Sequence, residues 1–144
     1  MDLLNKTAII TGGSGGIGKA MAKAFLKEGA KGIVLADLNK DTVEEAAKEL
    51  GCDSMVCNVT DEQQIQDVAT FTKEKFGQID LFCSNAGAGG EGLLTDAVDK
   101  VWQNQWELHV MSHVYGARAV LPDMISRGEG YLLNTASAAG LLAA

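Results

Sequence analysis

A glycine-rich segment near the start of the chain has the composition of a phosphate-binding loop. Residues 11–18 read Thr-Gly-Gly-Ser-Gly-Gly-Ile-Gly and lie between a predicted strand and a predicted helix. Glycines at such a turn let backbone N–H groups approach a pyrophosphate, and the helix dipole favours its negative charge. Glycine-rich turns without a ligand also exist, but the position between strand and helix favours a site. We predict that five residues hold the pyrophosphate: Gly12, Ser14, Gly16, Ile17 and Gly18.

An acidic residue follows at the position where a dinucleotide fold binds the adenosine ribose. Asp37 closes the second predicted strand, 19 residues after Gly18. A carboxylate there accepts hydrogen bonds from the ribose hydroxyls and repels a 2′-phosphate. The residue before Gly16 is Gly15, so the loop offers no Arg or Lys to neutralise that phosphate. Both features favour NAD over NADP, and the alternative is a solvated turn residue.

The histidines and cysteines could bind a metal by residue type, but their spacing does not favour it. His109 and His113 stand four residues apart, without an HExxH pattern or an evident third ligand. Cys52, Cys57 and Cys83 are odd in number and form no CxxC pair. We therefore expect no metal, and reduced core thiols of a cytoplasmic protein.

Short apolar runs alternate with helical patterns along the whole chain. The runs 7–11, 32–36, 54–57, 79–84 and 131–135 predict strands. Helices are predicted over 16–28, from a cap at Asn39 to Gly51, from a capping box at 60–63 to residue 76, and over 98–125. This alternation predicts an α/β fold, a doubly wound parallel sheet of the Rossmann-like kind, as one domain over residues 1–144.

Composition narrows the classes of function. The 144 residues carry 12 basic and 19 acidic side chains, a net charge of −7, which argues against a nucleic-acid partner. No stretch reaches the ~18 uninterrupted apolar residues of a membrane span. Residues 1–6 lack the apolar block of a signal peptide. We expect a cytoplasmic protein without a membrane partner.

Four segments together resemble one enzyme family. Thr11-Gly-x-x-x-Gly16-x-Gly18 resembles the cofactor fingerprint of the short-chain dehydrogenases/reductases, and residues 57–61 resemble the segment that holds the adenine. Residues 85–87 are similar to the family's Asn-Ala-Gly motif, and residues 134–140 to its fifth-strand segment. The resemblance implies that Asn58 and Val59 bind the adenine. It further implies that Asn85, Ala86 and Gly87 line the nicotinamide side, and that Ser137 polarises the substrate oxygen.

Three positions depart from the family pattern. Asn58 stands where the family has Asp, and an Asn can still accept from the adenine amino group through its carbonyl oxygen. Ser84 replaces the first Asn of the motif before Asn85. Counting from Trp102 and Pro122, His109 occupies the position of the catalytic Asn that holds a water in the proton relay. A ring nitrogen could hold that water, and the open alternative is a semi-buried helix residue on a stripe with Trp102, Trp106 and His113.

The family's general acid–base pair, Tyr-x-x-x-Lys, does not occur in these 144 residues. Tyr115 is followed four residues later by Ala119, and Tyr131 by Thr135. We therefore expect a sheet truncated after the fifth strand, covering the first ~60% of a family domain.

The resulting hypothesis is an incomplete oxidoreductase that transfers a hydride between NAD and an alcohol or ketone. The alternative is a natively short nucleotide-binding module without dehydrogenase activity. Family members are commonly dimers or tetramers, which leaves a homo-oligomer open.

Overall fold

Five parallel strands form one sheet, as the alternating pattern predicts. The computed structural model describes residues 2–90, 92 and 95–141. The strands are β1 (Thr7–Thr11), β2 (Gly32–Asp37), β3 (Asp53–Val56), β4 (Leu81–Ser84) and β5 (Tyr131–Asn134). Their order is β3-β2-β1-β4-β5, with every neighbouring pair parallel. The chain thus reverses its winding between β1 and β4, which is where such folds open a ligand crevice. The predicted domain limits, residues 1 and 144, lie outside the described residues and stay a prediction.

Helices cover both faces of the sheet. They are α1 (Gly16–Lys27), α2 (Lys40–Leu50), α3 (Glu62–Phe76), α4 (Asp99–Trp106) and α5 (Ser112–Arg127). On one face Ile10 and Leu35 belong to a core with Ala22 of α1 and Val43 of α2. On the other face the core includes Ile9, Phe82, Ile65 of α3 and Val120 of α5. Burial on both faces explains why the central strands are continuous apolar runs.

The caps of α2 agree with the sequence pattern, but the cap of α3 differs by one residue. The Asn39 side chain accepts from the Thr42 N–H at 3.2 Å, and Gly51 ends α2 with a left-handed φ of 69°. The N-cap of α3 is Asp61, whose carboxylate accepts from the N–H of Gln63 at 2.9 Å. The predicted capping box from Thr60 is therefore wrong. Thr60 instead lies before the helix, where its N–H and hydroxyl donate to the Asn58 side chain.

The long helix predicted over 98–125 is not uniform. α4 and α5 are joined by a π-helical stretch, Glu107–Met111, so that residues 99–127 form one continuous helical rod. A π-helical turn holds an extra residue and re-aims the side chains beside it, and such turns are frequent at functional sites. His109 lies in the middle of this stretch.

A buried carboxylate ties the amino-terminal ends of the strands together. Asp80 has a fully buried side chain and accepts from the Thr7 N–H at 2.9 Å and from Gln78 Nε2 at 2.7 Å. Arg127 at the end of α5 donates to the same carboxylate at 3.4 Å. Its second amino group donates to the Ile79 carbonyl at 2.6 Å. A carboxylate removed from water needs such donors, because an unpaired buried charge is strongly destabilising.

The Asp80→Ala variant should lose about 3 kcal/mol of unfolding free energy, because the Thr7 N–H and the Arg127 guanidinium lose their buried acceptor. The matched control is Glu129→Ala, which removes a 55% exposed carboxylate paired with Lys6 and should cost under ~1 kcal/mol. Urea unfolding of both variants measures the difference. Equal losses in the two variants would contradict the buried role of Asp80.

Candidate functional site

The carboxyl-terminal ends of the strands open into one cleft. Its volume is about 1190 Å³. All thirteen residues proposed from the sequence line it: Gly12, Ser14, Gly16, Ile17, Gly18, Asp37, Asn58, Val59, Asn85, Ala86, Gly87, His109 and Ser137. They come from the last residue of β2, from the segments that follow the other four strands, including the start of α1, and from the π-helical stretch. The fold therefore brings the candidate residues to one place, while the role of each stays a prediction.

The first turn of α1 has no side-chain cap and no acidic residue. Its N-cap is Gly15, which has no side chain to cap the helix, and no acidic residue lies in the first turn. The hydrogen bond from the Lys19 N–H to the Gly15 carbonyl, at 2.9 Å, begins the helical series. The N–H groups of Gly16, Ile17 and Gly18 precede it and have no intrahelical acceptor. These donors suit a phosphate group.

The glycines of this loop are needed for two different reasons. A Cβ on Gly18 would overlap the Gly12 carbonyl oxygen, so Gly18 permits close packing of the loop on itself. Gly12 has a left-handed φ of 62°, and a Cβ there would approach Ala86 Cα at 2.9 Å. A Cβ on Gly16 would meet nothing within 4 Å, because it would project into open space beside the helix end. Protein packing thus accounts for Gly12 and Gly18, whereas Gly16 leaves room for a ligand.

Asp37 is held by the loop that precedes α1. The Ser14 N–H and hydroxyl both donate to Asp37 Oδ2, at 3.0 and 2.7 Å, and the Leu38 N–H donates to Oδ1 at 2.8 Å. Thr42 in turn donates to the Ser14 hydroxyl at 3.2 Å. A carboxylate has about four lone-pair sites, so an acceptor position remains for a ligand hydroxyl. Ser14 therefore positions the acid, a role that the sequence did not reveal.

The side-chain oxygen of Asn58 is hydrogen-bonded within the loop that follows β3. Asn58 Oδ1 accepts from the Thr60 N–H at 3.1 Å and from the Thr60 hydroxyl at 2.9 Å. Both lone pairs of this oxygen are used, since a carbonyl oxygen has two. The two Thr60 donors would compete with an adenine amino group for this oxygen, and its role toward adenine stays a prediction. The amide nitrogen is the polar atom of Asn58 that remains for a ligand.

Asn85 joins the loops after β1, β4 and β5. Its Nδ2 donates to the Thr11 carbonyl at 3.1 Å, and its Oδ1 accepts from the Thr135 hydroxyl at 3.0 Å. The Thr11 hydroxyl accepts from the N–H groups of Asn85 and Ala86 at 2.9 and 3.1 Å and donates to the Cys83 carbonyl. This set of bonds fixes the floor of the cleft at the point where the winding reverses.

His109 contacts the loop after β4. Its Nε2 lies 2.9 Å from the Ala88 carbonyl oxygen, and a Cβ on Gly87 would reach the ring at 3.0 Å. A carbonyl oxygen only accepts, so Nε2 carries the proton and Nδ1 of the neutral ring is an acceptor. The proposed stripe is not buried: Trp102 and Trp106 are 52% and 54% exposed. His109 itself is exposed and lines the cleft, and its role in a proton relay stays a prediction.

Ser137 and His113 also line the cleft. Ser137 is exposed, and its oxygen accepts from the Ala139 N–H at 3.2 Å, which leaves the hydroxyl proton free to donate. His113, which the sequence did not single out for this role, also lines the cleft. Burial lowers its pKa below the usual 6.5, and the nearby His109 lowers it further.

Two exposed apolar residues, Ile17 and Leu38, also line the cleft. Ile17 is 62% exposed, and Leu38, which the sequence reasoning missed, is 68% exposed. Its position directly after Asp37 was the available signal, because a large apolar residue at a strand end has no core to enter.

Within the part of the chain that the structure describes, no helix is long and apolar enough to cross a membrane. No group of three His, Cys, Asp or Glu side chains in the same part could hold a metal ion.

Comparison with known proteins gives consistent matches. A family model described as short chain dehydrogenase matches residues 6–144. An uncharacterized oxidoreductase of Staphylococcus aureus strain N315 is 33% identical over 141 residues, which are 96% of this chain and 61% of the relative. The chain thus spans about 61% of the length of that curated relative.

Solved structures agree with the sequence matches. NAD⁺-bound xylitol dehydrogenase has a TM-score of 0.89 at 29% identity, covering 100% of this chain and 57% of that one. A short-chain dehydrogenase from Streptomyces avermitilis has a TM-score of 0.88 at 27% identity, covering 99% of this chain and 53% of that one.

The two loop glycines should respond differently to alanine. Gly18→Ala should lose about 2 kcal/mol of unfolding free energy, because its Cβ overlaps the Gly12 carbonyl. Gly16→Ala should keep or raise stability by up to ~1 kcal/mol, because the site is open. If NAD is the ligand, as the sequence predicts, a Cβ at this open position should weaken its binding about tenfold. Urea unfolding and calorimetric titration measure the two effects, and unchanged NAD affinity in Gly16→Ala would contradict a ligand at this end.

The His113 imidazole should titrate with a midpoint below 6.5 in an NMR pH titration. His109→Gln should raise that midpoint without restoring 6.5, because burial is the larger cause. As the pH falls below 6.5, the unfolded chain binds a proton that the folded chain resists, so His113 should reduce stability in acid. A midpoint at or above 6.5 would show that the ring is not desolvated.

Proposed function

Because the chain belongs to the short-chain dehydrogenase family, we propose that it forms the NAD-binding part of an oxidoreductase acting on an alcohol or ketone. One observation carries the proposal: an uncapped helix end and a carboxylate held beside it line the same cleft. The helix end suits a diphosphate, and the carboxylate suits a ribose with free hydroxyls. The activity, substrate and partners of the whole protein are part of this proposal.

The cofactor would lie across the strand ends. The N–H groups of residues 16–18 bind its diphosphate, and Gly16 leaves the space that a phosphate oxygen needs. Asp37 accepts from the adenosine ribose hydroxyls, with Ser14 holding the carboxylate. The acidic side chain would repel a 2′-phosphate, so we propose NAD rather than NADP. Asn58 and Val59 hold the base, and Asn85, Ala86 and Gly87 line the nicotinamide side.

The bound nicotinamide would accept a hydride from the substrate carbon or, in its reduced form, donate one to it. Ser137 donates its hydroxyl proton to the substrate oxygen and stabilises negative charge there. His109 keeps Nδ1 free to hold a water of the proton path, because Nε2 is committed to Ala88. A Tyr-x-x-x-Lys general acid is absent from residues 1–144, so we expect these residues to bind NAD without turnover.

The three cysteines support a reducing location for this protein. Cys52, Cys57 and Cys83 are free thiols. Burial raises the pKa of Cys57 and of Cys83 to about 12, and that of Cys52 to about 11. Thiols with such pKa values are uncharged and unreactive near neutral pH. We propose that the protein is cytoplasmic, where such thiols stay reduced.

Calorimetric titration with NAD and NADP tests the cofactor assignment. NAD should bind at least about tenfold more tightly than NADP, and Asp37→Ala should remove most of this preference, about 1.4 kcal/mol. The matched control is Asp41→Asn, which removes one exposed negative charge on α2 outside the cleft lining and should keep the preference.

Each other outcome has a defined meaning. Tighter binding of NADP by the unaltered chain would overturn the Asp37 argument. Binding of neither nucleotide would overturn the site itself. Oxidation of a secondary alcohol by the 144-residue chain would contradict the expected lack of turnover.

A further inference from the structure

The half of the cleft beyond β1 is where the nicotinamide would lie, and this step rests on the proposed function. Asp37, which would bind the adenosine ribose, ends β2 on one side of β1, whereas β4 and β5 lie on the other side. A dinucleotide whose diphosphate is at the end of β1 therefore extends its second half over the ends of β4 and β5.

Two imidazoles belong to this second half of the cleft. His109 Nε2 lies 2.9 Å from the carbonyl oxygen of Ala88, which follows β4, so the ring is held near the end of that strand. His113 lies four residues further along the helical rod, is half-buried and lines the same cleft. Burial lowers the pKa of His113, and repulsion by His109 lowers it further, so the two rings are close enough to interact when charged.

The described residues place no fixed charge in the nicotinamide half. Of those that line the whole cleft, Asp37 alone carries a carboxylate, and none is Lys or Arg. Asp37 lies at the end of β2, on the adenosine side. The charge of the protein in the nicotinamide half therefore depends on whether the two imidazoles carry a proton.

The helix that packs against α5 does not neutralise a charge on His113. Glu62 and Lys73 are the groups of α3 that form ion pairs with α5, and they are paired with Arg118 and Asp123. Burial and His109 are the two causes of the lowered pKa of His113, and no carboxylate acts against them.

The other elements that pack against α5 are the π-helical stretch, β4 and β5. Glu107 of the π-helical stretch accepts from Gln103 Nε2 at 2.7 Å. Cys83 of β4 is uncharged, because burial raises the pKa of its thiol to about 12. The titratable residue of β5 is Tyr131, whose side chain is exposed. A proton on His113 therefore adds a positive charge to the cleft that these elements do not cancel.

The two oxidation states of the cofactor differ by one charge, at the nicotinamide ring. The ring of NAD⁺ is positive, and uptake of a hydride makes it neutral in NADH. A protonated imidazole in the same half of the cleft repels the positive ring and does not repel the neutral one. The diphosphate and the adenosine are common to both forms, so their contributions cancel in the ratio of the two dissociation constants.

We propose that His109 and His113 determine the preference of the cleft between oxidised and reduced NAD, and that protonation of these rings shifts the preference toward NADH. The ratio of the Kd for NAD⁺ to the Kd for NADH therefore rises as the pH falls. Because the coupling is reciprocal, bound NAD⁺ makes His113 harder to protonate than bound NADH does. This choice of oxidation state is separate from the choice between NAD and NADP that we assign to Asp37.

Calorimetric titration of the 144-residue chain with NAD⁺ and with NADH, at about pH 8 and about pH 6, tests the proposal. Imidazoles ordinarily change charge in this range, and the chain has two histidines. The ratio of the two dissociation constants should be at least about threefold higher at the lower pH. A ratio that stays constant or falls overturns the inference and leaves the proposed function intact. Binding of neither form overturns the proposed function, and the inference with it.

A double variant, His109→Gln with His113→Gln, assigns the effect to the two rings. Gln at position 109 keeps a side-chain N–H donor for the Ala88 carbonyl, and the ratio should no longer depend on pH. The matched control adds Gln66→His to the double variant, because Gln66 is exposed on α3 and lies outside the cleft lining. A pH-dependent ratio that persists in the double variant, or that Gln66→His restores, would refute the role of His109 and His113.

An NMR pH titration of the unaltered chain gives a second measurement that needs no change to the cleft. The titration midpoint of the His113 ring should be lower with saturating NAD⁺ than with saturating NADH. Equal midpoints, or a higher midpoint with NAD⁺, would show that the ring does not sense the charge of the nicotinamide.

Discussion

The backbone N–H groups at the start of α1, which have no acceptor within the helix, are the feature on which the site depends. A helix end normally takes a side-chain cap, and here Gly15 provides none. Gly16 keeps the space beside the donors empty, and Gly12 and Gly18 let the loop fold tightly beneath them. The stability of the loop comes from Thr11 and Asn85, which bind it to the ends of β4 and β5. The donors can therefore face a ligand because other residues hold the backbone in place.

A carboxylate next to an anion site needs hydrogen-bond donors that stabilise its own negative charge. Ser14 supplies them to Asp37, because its N–H and hydroxyl both donate to one carboxylate oxygen. The same loop thus serves two negative charges: its helix end favours the negative charge of a ligand, and its Ser14 stabilises the negative charge of Asp37. In the proposed function, the separation of these two roles along the loop suits the cleft to a diphosphate beside a ribose with free hydroxyls.

At each end of the cleft, a hydrogen bond within the protein determines which polar atom remains for a ligand. At the β3 end, the oxygen of the Asn58 side chain accepts from Thr60, and the amide nitrogen remains. At the other end, the π-helical turn places His109 against Ala88, and this contact determines which ring nitrogen can accept. In both cases a residue that departs from the family pattern has its chemistry set by one neighbour in the fold. The residue type alone left both possibilities open.

The sequence determined the alternation of strands and helices, the glycine loop and Asp37, because these depend on periodicity and on residues close in the chain. It also predicted correctly which segments meet, since parallel strands bring their carboxyl ends to one edge. It did not determine the N-cap of α3, the hydrogen bonds from Ser14 to Asp37, the orientation of the Asn58 amide or the hydrogen-bond partner of His109. Each of these depends on which of several donors and acceptors comes within 3–4 Å of another, and only the tertiary structure decides that, because hydrogen bonds are short and directional.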